Sequence, residues 1–556
     1  MVPFKAINFA LVFAALTKCA VIYPRSSPVG TTPACDKADA IVPSFKNSSV
    51  NTILFDSNYK NTAIQRLAGA VQIPTIVGDS NPDPSINPKF YSNFTKFHKY
   101  LNTTFPLIHE RLKLNIINSF GLLYTWEGSN SDLKPILFTA HQDVVPVNNE
   151  TIDEWEFPPF SGHYDNDTDT LWGRGSFDAK NLVIGQMEAV EKLLEDGFQT
   201  DRTVLLAYGF DEEASGTWGA KYISNFVEKE YGKNGVMVMF DEGPGLVKVD
   251  NGTYLAVVPN AEKGYLDAQV VINGQGGHSS SPPAHTTIGV AADMITQLEK
   301  NPSPVEFDIE NPLYGFLTCA AEYSSQIPVT LKKLVLGASN NKTVETLLAQ
   351  ILYSTELTTN YVKTTQAVDI FNAGVKSNAI PETTEFTVNY RIAHGSSVNE
   401  TKQRFLQYAN ATAYKFGYGL VVENRTLINS TKLGYINVTY DSPLEPSPVS
   451  PSSGPTWNLL AGTVENLFVN DYWNEQGLTN NKVYTSSAIV TTNTDSKNYW
   501  NVTDTIYRFI GGITNPSILG TVHSVDEHVI VDNHLQSVAF VYEFIVNTNE
   551  YGSDIA

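Results

Sequence analysis

Short apolar, β-prone runs that end in acids or imidazoles constrain this 556-residue chain more than any other feature. Residues 135–140, 203–210 and 236–240 are such runs, and they lead into His141-Gln142-Asp143, Glu212-Glu213 and Asp241. Continuous hydrophobic runs of strand length are expected where both faces of a sheet are covered, as in parallel sheets. Between them Val183, Met187, Val190 and Leu194 recur at helical spacing, which predicts a helix covering that sheet. The fold class is therefore α/β, a doubly wound, mostly parallel sheet, with polar residues gathered where its strands end.

A chain of this length is expected to form two domains. Residues 264–272 and 383–392 alternate like half-buried strands, and 288–298 and 398–416 read as helices. They predict a smaller α+β lid or dimerisation domain over 262–440, inserted between two parts of the main domain, 61–261 and 441–556. The Ser- and Pro-rich stretch 441–454 reads as the return linker, and 21–60 as an irregular arm. Residues 456–500 give no clear pattern.

A hydrophobic content of 42% and a charged content of 17% describe a folded protein. The net charge of -21, with no stripe of Lys or Arg, excludes nucleic acid as a partner. Lys5 precedes an apolar run, 6–16, followed by Thr17-Lys18-Cys19-Ala20. That run is shorter than the ~20 residues a spanning helix needs, so 1–20 is expected to be a signal peptide. Continued through Val21 and Ile22 it becomes a signal anchor, the one expected route to a membrane. Thirteen Asn-x-Ser/Thr sequons, at Asn47, Asn93, Asn102, Asn149, Asn166, Asn251, Asn341, Asn399, Asn410, Asn424, Asn429, Asn437 and Asn501, agree with the secretory pathway. After cleavage Cys35 and Cys319 remain; they could form one disulfide, which their spacing does not decide.

Two imidazoles and several carboxylates in one place are what a pair of zinc ions requires. Asp178 lies just before the predicted helix, and His523 follows the glycine-containing stretch 511–520. Singly, Asp178 is an ordinary helix cap, Glu212-Glu213 a solvated loop, and each histidine a structural residue. Their joint occurrence at strand ends favours a metal site. A metal-bound imidazole normally passes its other N–H to a carboxylate, so Asp143 is assigned to orienting His141.

Phe138-Thr139-Ala140-His141-Gln142-Asp143-Val144-Val145-Pro146, Gly173-Arg174-Gly175-Ser176-Phe177-Asp178-Ala179-Lys180 and Asp211-Glu212-Glu213 closely resemble the co-catalytic zinc exopeptidases. Phe240-Asp241-Glu242-Gly243-Pro244, Gly277-His278-Ser279-Ser280-Ser281-Pro282 and Val522-His523-Ser524-Val525-Asp526-Glu527 extend the resemblance over roughly residues 61–550. That family includes carboxypeptidase S, aminoacylase and secreted N-acyl amino acid synthase/hydrolases; the vacuolar carboxypeptidase S branch is the most similar. The resemblance implies two zinc ions per subunit, one on His141 and Asp241, the other on Glu213 and His523, with Asp178 bridging. Glu242, beside Asp241, is chemically able to serve in its place. Glu212 is implied as general base, and His278 as an oxyanion contact delivered across a homodimer. Arg391 is implied to grip a substrate carboxylate, with Asn378 as a further lid contact.

The expected activity is zinc-dependent removal of a C-terminal residue from small peptides. N-acyl amino acid hydrolysis or synthesis is the alternative, and a non-catalytic glycosylated binding protein the remote one. The expected location is the vacuolar lumen or the extracellular space.

Overall fold

The computed structural model describes Cys35 and residues 37–552; the expected signal segment, 1–20, lies outside the described residues. The central sheet has six strands in the order Lys113–Ile117, Gly121–Trp126, Val204–Gly209, Ile136–His141, Val238–Asp241, Ile506–Arg508. Its last four are mutually parallel, and Gly121–Trp126 pairs antiparallel with Val204–Gly209. Alternation along each strand explains the unbroken apolar runs. Ile136 and Phe138 join a core with the helices Lys180–Glu195 and Val531–Tyr551, whereas Leu137 joins one with Ala220–Tyr231. Both faces are covered, so the strands are apolar along most of their length. The sheet is doubly wound and mostly parallel.

A second six-stranded sheet holds Gly264–Gly274, Thr365–Ala373, Thr383–Ile392, Gly419–Val422, Arg425–Ile428 and Gly434–Leu444. Helices Thr287–Lys300 and Val398–Phe416 cover it through Leu266, Val270, Met294, Phe386 and Phe405. Ser397 caps the second helix by accepting from Glu400 N, and Gly417 ends it at φ 67°, which glycine adopts without steric cost.

The expected single insertion over 262–440 instead packs as two units. Helices Leu313–Tyr323, Val329–Ala338 and Lys342–Ser354 leave the lid and bury Phe316, Leu317, Leu334 and Leu352 against Leu255, Val257 and Tyr484. Their apolar faces match the strands Thr253–Glu262 and Lys482–Val490, and a Cys35–Cys319 disulfide ties the chain's beginning to the same unit. The arm expected to be irregular through residue 60 also differs. It is helical over Val50–Phe55 and again from Ser57, because Val50, Ile53 and Leu54 are buried and Asp56 caps the second helix. The return linker crosses alongside the hinge, with Ser447 N donating to Glu262 O and Ser450 N to Asn260 O. Among the described residues no helix is long and apolar enough to cross a membrane.

The helix Val531–Tyr551 buries Glu543 completely, with Asn466 Nδ2 donating to its Oε1 at 2.8 Å. Burial, then the charge of Asp471, pushes this carboxyl well above its ordinary value. A raised folded value means that its contribution to stability is complete below the unfolded value of about 4.3 and is lost as pH rises. Glu543→Gln is therefore expected to flatten the loss of stability between about pH 5 and 8, read as urea midpoints. An unchanged pH slope in that variant would contradict the protonated carboxyl.

Candidate metal centre

The polar residues converge at the carboxy ends of the parallel strands, where loops of an α/β sheet form a crevice. His141 ends its strand and is 1% exposed; Glu212 and Glu213 lie on the short turn Glu212–Ala214 after Val204–Gly209. Asp178 is the shared element. Its Oδ1 lies 3.0 Å from His141 Nε2 and its Oδ2 3.0 Å from His523 Nε2. Glu213 Oε2 is 3.0 Å from His523 Nε2, and Glu242 Oε2 is 3.8 Å from His141 Nε2. Three groupings result, His141/Asp178/Glu242, Asp178/Glu213/His523 and His141/Glu212/Glu213, each with ligand atoms within 4.8 Å of one another.

Asp241, expected as a ligand, belongs to none of these groupings. It is 4% exposed and its carboxylate is already occupied. Thr139 Oγ1 donates to Oδ1 at 2.9 Å, Glu242 N donates to Oδ1 at 3.0 Å, and Thr494 Oγ1 lies 3.0 Å from Oδ2. Glu242, one residue past the strand, takes the position beside His141. Asp143, expected to orient His141, lies against it and makes a second contact as well. Its backbone carbonyl lies 3.0 Å from His141 Nδ1 and its carboxylate 3.4 Å, while Oδ2 accepts from Glu213 N at 3.0 Å. One buried residue thus orients both His141 and the turn carrying Glu213.

The donor set fits divalent cations. Asp178, Glu212, Glu213 and Glu242 crowd together, and among the described residues none is paired with Lys or Arg. Burial, then the Asp178 charge, pushes Glu213 up to about 7 and Glu242 up to about 8. Burial, then Glu242, pushes Glu212 well above the carboxylate range. Burial alone would lower His523, but Asp178 and Glu213 outweigh it and push it up to about 11. So dense a set of buried carboxylates is costly unless positive charge accompanies it.

A second layer holds the loops in place. Glu527 accepts from Arg174 Nη1 at 2.5 Å, from Gly175 N at 2.9 Å, and from Phe177 N and Asp178 N at 3.1 Å. Arg174 Nη2 donates to Ser524 O at 3.0 Å, joining the Asp178 loop to the His523 loop. Asp211 accepts from Trp218 N and Gly219 N at 2.7 Å, fixing the turn that carries the glutamates. Glu262 and Arg508 form a fully buried ion pair at 2.7 Å beside Thr494. Sequence reasoning missed the roles of Glu527, Thr494 and Arg508. Glu527 had one signal, a fixed place four residues after His523; the others had none.

The lid residues lie apart from this cluster. His278 is exposed, with Nδ1 2.7 Å from Ser280 Oγ, and Ser279 N donates to Asn378 O at 3.2 Å. Among the described residues neither His278 nor Asn378 bonds to a member of the acid cluster. Arg391 is half-buried; its Nη1 donates to Asn493 Oδ1 at 3.1 Å and its guanidinium lies 4.7 Å from the Tyr265 ring centroid.

Comparisons with known proteins give the family and the fold. The model of peptidase family M20/M25/M40 matches residues 137–547. The chain is 50% identical to carboxypeptidase S of Saccharomyces cerevisiae over 520 residues, 93% of this chain and 89% of that protein. It is 31% identical to the N-fatty-acyl-amino acid synthase/hydrolase of Mus musculus over 88% of each chain. In fold it resembles an M20 family metallo-carboxypeptidase of Sulfolobus solfataricus, with a TM-score of 0.58 at 16% identity over 87% of this chain and 98% of that one. With a family match across most of its length and motifs gathered into one acid-and-imidazole cluster, this chain belongs to peptidase family M20/M25/M40.

Proposed function

We propose that this protein is a zinc carboxypeptidase that removes the C-terminal residue of small peptides. The observation that carries the reading is Asp178, whose two oxygens face two different imidazoles, each flanked by a further carboxylate. One zinc ion would be held by His141, Glu242 and Asp178, the other by Glu213, His523 and Asp178. Two such ions would supply Lewis acidity and would lower the pKa of bound water. Glu212 then takes the proton from the attacking water and passes it to the departing amine. Arg391, which has no carboxylate partner among the described residues, receives the substrate's free carboxylate through its planar fork. His278, exposed on the lid, contacts the reacting carbonyl from a second copy of the chain, with Asn378 beside it.

Chelation is expected to abolish activity on blocked dipeptides, and zinc or cobalt to restore it. Activity that survives chelation with metal content near zero would contradict the proposal. The similarity to the mouse synthase/hydrolase favours one second reading, hydrolysis or synthesis of N-acyl amino acids at the same centre. Parallel kcat/KM measurements on dipeptides and N-acyl amino acids separate the two.

We place the protein in the secretory route, as a glycoprotein of the vacuolar lumen or the extracellular space. The Cys35–Cys319 disulfide suits an oxidising compartment. All the sequon asparagines are exposed except Asn93 and Asn437, which are half-buried. Asn93 Nδ2 donates to Pro74 O at 2.7 Å, so that site is expected to be modified poorly.

A further inference from the structure

The loop 491–496 reaches both the metal-bearing body and the lid. Thr494 Oγ1 lies 3.0 Å from Asp241 Oδ2 and 2.7 Å from Glu262 Oε1, supporting the end of the strand that precedes Glu242. Its neighbour Asn493 faces the lid. Asn493 Oδ1 accepts from Arg391 Nη1 at 3.1 Å, and Asn493 Nδ2 donates to the carbonyl of Lys263 at 2.6 Å. Lys263 stands between the body strand Thr253–Glu262 and the lid strand Gly264–Gly274, so its carbonyl is a fixed point at the hinge. Tyr265 covers one face of the guanidinium at 4.7 Å, and its hydroxyl donates to Asp267 Oδ2 at 2.8 Å.

Arg391 is thus held by one terminal nitrogen and one face. Among the described residues its Nε and Nη2 edge, the side-on fork for a carboxylate, makes no hydrogen bond and can serve substrate. We propose that Asn493 is a positioning residue for recognition of the substrate's free carboxylate, fixing the pose of Arg391 and tying it to the segment behind the metal ligands. The proposal rests on the reading of Arg391 given above. The chemistry asks for an amide: one acceptor for the guanidinium, one donor for the Lys263 carbonyl, and no charge to compete with substrate. Holding a long, flexible side chain in its binding pose before substrate arrives lowers the ordering cost of binding.

Steady-state kinetics of the zinc-loaded full chain on a blocked dipeptide with a free C-terminal carboxylate test this. Asn493→Ala is expected to raise KM about tenfold, the loss of one hydrogen bond to a charged group. Turnover should stay within about threefold and zinc content should be unchanged. Asn493→Asp, which places an anion on the guanidinium, should raise KM further. Arg391→Ala should raise KM as well, and Asn493→Ala should add nothing to it in the double variant. An unchanged KM in both Asn493 variants, with Arg391→Ala raising it, would overturn the proposal while leaving the role of Arg391 standing. A fall in turnover and zinc content at unchanged KM would overturn it too, reducing Asn493 to support for the Asp241 side. If Arg391→Ala leaves KM unchanged, the carboxylate reading itself fails.

Discussion

Glu212→Gln is expected to lower turnover by about 10²–10⁴ while metal content stays at the native value. The side chain keeps its size and its place on the turn after Val204–Gly209 but cannot accept a proton. Glu213 and Glu242 each face an imidazole, at 3.0 and 3.8 Å, and Asp178 faces two. Glu212 alone in the group has no ion-pair or hydrogen-bond partner for its carboxylate among the described residues, although it lies within reach of His141 and Glu213. A carboxylate without a partner, beside the residues that would hold the ions, is the group available for proton transfer. Metal analysis and kcat on a blocked dipeptide check this together. A variant with native turnover removes Glu212 as the base, and one that loses metal makes it a ligand.

The second large effect separates two adjacent acids. Glu242→Ala is expected to lose one of the two metal ions and to reduce activity by more than about 100-fold, beyond the range of an outer-layer loss. Asp241→Asn should keep both ions, with metal affinity weakened by at most about 10–100-fold. The difference follows from the hydrogen bonds: Asp241 is occupied by Thr139, Thr494 and the Glu242 amide, whereas Glu242 reaches His141. Stoichiometric zinc in Glu242→Ala with loss in Asp241→Asn would reverse the assignment.

Why Asp241 lies outside the three groupings is a matter of strand geometry. Side chains along Val238–Asp241 alternate between faces. Val238 and Phe240 pack on one side and Met239 on the other. Asp241 therefore turns to the Met239 side, where Thr139 of the neighbouring strand meets it, and only Glu242, beyond the pairing, is released toward the site. The apolar run marks the strand end to within a residue, and one residue reverses the face.

The strands bearing His141 and the glutamates were legible because burial on both sheet faces leaves an unbroken apolar signature. The lid helix Val398–Phe416 was legible as a helical stretch, and the structure adds a Ser397 cap and a closing Gly417. Residues 456–500 were not. Their helix Pro455–Glu465 runs into a π-helical stretch, Asn466–Tyr472, whose period differs from 3.6, and they bury the polar residues Glu465, Asn466 and Asp495. The helices between 313 and 354 pack on the body strands, which the sequence did not indicate, because apolar helix faces do not announce which sheet they cover. Contacts such as Glu527 with the Asp178 loop span about 350 positions, and local pattern carries no trace of them.

Diffraction from crystals of the zinc-loaded protein, measured at the zinc absorption edge, tests the central claim most directly. Two anomalous peaks about 3.5–4 Å apart are predicted. One should be bonded to His141 and Glu242, the other to Glu213 and His523, with an Asp178 oxygen on each. A single peak, or an ion seated on Asp241 away from Asp178, would contradict it.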